Sequence, residues 1–145
     1  MANATADRNT PKQVTTAYFP QYRAKAKAAT KHYIGTVQCI DLTTDVSENP
    51  AVANAATQKG WGVVKETVDN LTGIAGAKTV ELETGEFWFG VHGTHAPTLA
   101  DRGKSAYMDD NQLISDTDTD GPLVGKILDV DATLGVLVGI GPLYW

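Results

Sequence analysis

The 145-residue chain is long enough for one domain that buries roughly two thirds of the surface its unfolded form exposes, so its core requires neither disulfides nor a structural metal. Hydrophobic residues make up 42% and charged residues 20%, ordinary values for a globular protein, and the single Cys39 excludes an internal disulfide. The net charge of −5 is divided unevenly: residues 1–31 hold six basic side chains against Asp7, a surplus of +5, and residues 32–145 hold six basic and sixteen acidic ones, a balance of −10. A basic arm over 1–31 is therefore expected ahead of an acidic, β-rich domain over 32–145. No apolar run approaches the roughly 18 residues of a membrane span, and the start MANATADRNT has no apolar core, so neither a span nor a secretory signal is expected. The basic charges are too thinly spread, and the body too acidic, for nucleic acid to be the expected partner.

Residues 1–16 are small, polar and aperiodic, a composition that orders only when something holds it, and a neighbouring molecule is the expected holder. In AYFPQYR, Tyr18, Phe19 and Tyr22 surround Pro20, which suits an extended anchor better than a helix. RAKAKAATK has no apolar stripe and reads as an extended lead-in despite its helix-favouring Ala and Lys. From Tyr33 onward the pattern is one of short strands and turns. YIGTVQCID is the first strand, with Cys39 a small core residue, and residues 42–58 form a loop with one helical turn. Trp61 to Val68 is the next strand. KTVELETGEFWFGV then reads as a hairpin across Thr84-Gly85, burying Val80, Leu82, Phe87, Phe89 and Val91 and leaving Trp88 on the opposite face. A loop with a helical turn over 99–103 leads into SAYMDD, then LIS, the acidic turn DTDTDG, and a closing pair PLVGKILDVD and GVLVGI. The fold expected is mainly β, a small barrel or sandwich with long loops and an extended N-terminal arm.

The residues offer few candidates for chemistry. DTDTDG begins like a calcium-binding EF-hand loop, with Asp116, Asp118 and Asp120 as ligands, but the twelfth position, where a bidentate Glu is needed, is Ile127. A solvated turn is the reading expected there. His92 and His95 are spaced to share a metal, yet no third ligand or rigid support stands beside them in sequence, so no metal is assigned. None of Ser47, Ser105 and Ser115 lies in a nucleophile elbow, and the G-x-G at Gly139 to Gly141 runs into Pro142 instead of a helix. Neither an enzyme nor a cofactor is expected.

The order of segments from Lys78 to Gly141 carries more information: TVELETGEFWF, then TLADRGKSAYMDDNQL, then a DG turn into GPLVGKILDVDATLGVLVGI. This order resembles the head decoration, or capsid cement, proteins of tailed bacteriophages, and KHYIGTVQCID is similar to that family's early strand. The likeness covers roughly residues 23–141. Arg102 stands where the family pattern suggests an apolar residue, and the tail PLYW lies outside the pattern. The resemblance implies a virion protein made in the host cytoplasm that binds the outer capsid surface and clamps major capsid subunits, most often as a homotrimer, with a dimer the alternative. In that setting Tyr18, Phe19 and Tyr22 would supply buried contact area, and Arg23, Lys25 and Lys27 would meet acidic groups of the shell. Trp88, Tyr144 and Trp145 are further candidate interface residues. A receptor- or carbohydrate-binding β module is the competing expectation, with Trp61, Trp88 and Trp145 as stacking aromatics.

Overall fold

The computed structural model describes residues 2–12 and 21–145. Strands β1 (Gln21–Ala26), β3 (Val37–Asp41), β4 (Val46–Glu48), β5 (Gln58–Val64) and β7 (Thr79–Glu83) close a barrel in the order β1-β4-β3-β5-β7. A second sheet has the order β10 (Leu113–Ile114), β8 (Gly85–Val91), β12 (Gly135–Ile140), β11 (Leu123–Asp131) and β9 (Ser105–Tyr107). Its edges approach each other through a bridge between Tyr107 and Ser115, giving a half-barrel. A ribbon of β2 (Thr30–His32) and β6 (Val68–Asn70) completes the mainly β architecture.

Two apolar clusters hold these layers. Inside the barrel, Ala26, Ile40, Val64, Val80 and Leu82 pack with the partly buried Tyr22, Ala24, Trp61 and Val68. Between barrel and half-barrel, Val37, Cys39 and Val63 meet Phe87, Phe89, Met108, Ile114, Ile127 and Ile140. β3 and β5 are thus the shared wall, which is why nearly every residue of β3 is buried instead of every second one. Each large apolar side chain removed from water here contributes about 1.5–3 kcal/mol relative to its exposed state. Cys39 lies wholly within this layer, and burial pushes its thiol pKa far up, so it is an unreactive core residue.

Several segments depart from the sequence expectation. The lead-in QYRAKA is a barrel strand: Tyr22, Ala24 and Ala26 turn inward while Gln21, Arg23 and Lys25 turn out, an alternation with period two. With β2 also crossing position 31, the fold has no boundary between an arm and a body there. The expected hairpin at 78–91 does not form. β7 pairs with β1 and β5, whereas β8 pairs with β12 and β10, so Thr84-Gly85 is the crossover between the two layers. The alternation of KTVELETGEFWFGV is real, but Val80 and Leu82 serve one core and Phe87 and Phe89 the other, and Val91 is exposed. The region expected to be a loop over 42–58 contains β4 as well as a turn of 3-10 helix at Val52–Asn54. The closing pair β11 and β12 forms as expected, with a bulge between Ile127 and Asp129.

Residues 2–12 lie along their own chain, so the described part of the N-terminal segment has its holder within the molecule. The Arg8 amide donates to Ile34 O at 3.0 Å, the Trp88 amide to Pro11 O at 2.9 Å, and the Ala4 amide to Asn111 Oδ1 at 2.8 Å. The Arg8 guanidinium donates to Gln112 O and sits 5.2 Å from the centre of the Phe89 ring. Gly35, at φ +80°, lets the segment come this close: a Cβ there would stand 2.2 Å from Arg8 O.

Candidate functional site

Of the residues that the sequence singles out for binding, Arg23 and Lys25 lie on the outward face of β1. Tyr18 and Phe19 lie outside the described residues. Tyr22 meets Trp61 edge to face, with ring centres 5.8 Å apart. Among the described residues β4 reaches β1 only at Lys25 and Ala26, which leaves the first half of β1 without a strand on that side. A groove of about 360 Å³ opens along this seam, floored by Ala24, Ile40, Leu42, Tyr22 and Trp61 and flanked by Arg23, Lys25 and Asp45.

The positive charges of the N-terminal segment are used within the fold. Lys12 pairs with Glu83 at 2.6 Å, Arg23 with Glu81 at 3.1 Å, Lys25 with Asp45 at 3.7 Å and Lys31 with Asp69 at 3.8 Å. The Arg23 and Lys25 pairs are exposed and remain within reach of a partner, and such pairs stabilise the fold by about 0–1 kcal/mol. Lys27 is different: its ammonium lies 2.6 Å from a Glu48 carboxylate whose side chain is only 5% exposed. Glu48 also accepts a hydrogen bond from Gln58 Nε2 at 2.6 Å, so the exposed Lys27 turns its charge toward a buried carboxylate.

The aromatic candidates at the C-terminus fold back on the barrel. Trp145 packs edge to face on Trp61 with centres 5.0 Å apart, and its indole N–H donates to Gly60 O at 2.9 Å. Tyr144 lies over Gly139 and donates to Glu86 Oε1 at 3.3 Å, and burial with the nearby Glu86 charge pushes its phenol pKa up to about 12. Trp88 is half-buried. Arg102 is solvent-facing and donates to Leu99 O, so the turn in ADRGK requires no apolar residue there.

At one end of the half-barrel the two motifs left apart in the sequence come together. The histidine loop leaves β8, and the acidic turn, a 3-10 segment at Asp118–Asp120, follows β10. His95 Nδ1 is 2.7 Å from Asp120 Oδ2, His92 Nδ1 is 3.8 Å from the same oxygen, and the two imidazole rings are parallel with centres 5.7 Å apart. Ser115 Oγ donates to that Asp120 oxygen, and Asp109 Oδ2 stands 3.5 Å from His92 Nε2. Burial raises the Asp120 carboxyl, but hydrogen bonds from Ser115 and His95 and the nearby imidazoles outweigh it and hold it below the usual carboxylate range. Gly121 allows the turn to approach: a Cβ there would stand 2.0 Å from Met108 O. The expectation of a solvated turn is therefore corrected for Asp120, whose side chain is 14% exposed. The third group that the histidine pair lacks in sequence is supplied from 25 residues further on. No local signal marks that meeting, because it depends on β8 and β10 being parallel neighbours.

The fold and these surfaces define a class, a small mainly β protein of a closed barrel packed on a half-barrel, with a seam groove on one and a histidine–carboxylate cluster at the end of the other. No protein-family model matches the chain, and neither the curated proteins nor the solved structures compared with it give a match.

Proposed function

We propose that this protein is a capsid decoration protein that acts by binding, without catalysis, on the outer surface of a bacteriophage head and clamps neighbouring major capsid subunits. The observation that carries this reading is the seam of the barrel, where Tyr22 and Trp61 offer an aromatic floor and the exposed Arg23 and Lys25 stand at its rim. Tyr18 and Phe19 precede β1 in the chain and are the aromatic residues of the expected anchor. The ordered likeness of residues 23–141 to decoration proteins supports the reading and suggests a homotrimer, in which each anchored copy raises the effective concentration of the others.

The test is binding of the purified protein to undecorated, expanded capsids. R23E/K25E and Y18S/F19S are each expected to weaken binding at least about tenfold, equivalent to about 1.4 kcal/mol, while leaving the circular dichroism spectrum unchanged. Capsid binding as tight as that of the unaltered protein in both variants would reject the proposal. The groove also favours a second reading, a carbohydrate-binding module, since aromatic walls with flanking Arg, Lys and Asp suit a sugar ring and its hydroxyls. Copy number separates the two: decoration requires nearly as many copies per particle as the major capsid protein, and a receptor-binding module far fewer.

A further inference from the structure

We propose that His92, His95 and Asp120 bind one divalent transition-metal cation of the zinc class, which staples the histidine loop to the acidic turn at the end of the half-barrel. One ligand atom from each residue lies within 4.8 Å of the other two, and Asp120 Oδ2 is the common neighbour of both imidazoles. Two imidazoles with one carboxylate suit zinc, cobalt or nickel far better than calcium, which takes six to eight oxygens. Three protein donors leave a coordination position for water.

The surroundings hold the donor groups in place. The amides of Thr94 and His95 point at His92 Nδ1 from 3.2 and 3.1 Å, so this nitrogen keeps its lone pair and the ring proton sits on Nε2, toward Asp109. Asp109 then stands as the outer carboxylate of a carboxylate–histidine–metal arrangement, and Ser115 fixes Asp120 from behind. His95 is 41% exposed, which leaves the cluster open to entry from solvent. On binding, the cation takes the place of the proton shared by His95 Nδ1 and Asp120, and that proton leaves to solvent. It also competes with the two amides for His92, so affinity should fall below that of a structural site with free donors.

Titration of the metal-free full chain with zinc chloride, followed by calorimetry, is expected to show one equivalent bound and a raised melting temperature. H95A and D120N should each weaken binding at least tenfold, and D109N should weaken it about tenfold through His92. D118N, altering a neighbouring carboxylate outside the cluster, should bind as the unaltered protein does. Circular dichroism confirms that each variant is folded, and cobalt added in place of zinc gives a visible spectrum that reports nitrogen and oxygen donors even if H95A proves unstable. Absence of stoichiometric zinc binding by the full chain would overturn the proposal, as would binding that survives unchanged in both H95A and D120N.

Discussion

Lys27 carries its charge to a carboxylate that the barrel has taken out of water. Its removal by Lys27→Met would leave Glu48, among the described residues, with amide donors alone, and stability in urea should fall by about 1–3 kcal/mol, less than for a pair buried on both sides. The double variant K27M/E48Q should recover much of this loss, since the uncompensated charge is gone. A single variant that costs nothing would show that this ion pair contributes nothing to the fold. Asp101 makes a second prediction at this scale. Its carboxylate accepts from Lys104 Nζ at 2.9 Å and from the Thr98 amide and hydroxyl at 2.7 Å, and these bonds, the Lys104 bond foremost, hold its pKa down at about 2. The folded value lies below the unfolded value of about 3.9, so this stabilisation is complete above that pH and is lost as pH falls through about 2. Asp101→Asn should therefore lower the melting temperature at pH 7, and its gap from the unaltered protein should close as pH falls from about 4 to 2.

At the scale of elements, the N-terminal segment behaves as an additional edge of the fold. Lys12 bridges to Phe87 on β8, and the segment crosses between the ribbon end at Ile34 and the half-barrel at Gln112. Gly35→Ala would force a Cβ against Arg8 O at a positive φ, and should destabilise the protein by about 1–3 kcal/mol. Faster hydrogen exchange of the Arg8 and Trp88 amides, which are bonded to Ile34 O and Pro11 O, would show that the segment detaches. Unchanged exchange at both would mean that its docking does not depend on this close approach. The element scale is also where the hairpin expectation failed. Alternation along KTVELETGEFWFGV places side chains on two faces but does not say which core each face meets, and the chain moves from one sheet to the other at the buried Thr84.

Over the whole molecule, the uneven charge of the chain is resolved on folding. Basic side chains at positions 12, 23, 25, 27 and 31 each face a carboxylate of the acidic remainder, so the separation by sequence does not persist in space. The proposed capsid contact therefore depends on exchanging the exposed Arg23 and Lys25 pairs for groups on the shell. The sequence by itself determined the mainly β character, the burial of Cys39, and the closing hairpin, because period-two alternation and turn residues act over neighbouring positions. Only the tertiary structure decided that QYRAKA is a barrel strand, that β7 and β8 part company, and that His92 and His95 meet Asp120. Those outcomes rest on pairings between segments far apart in the chain, where the energy comes from burying one layer against another and no local pattern records the partner.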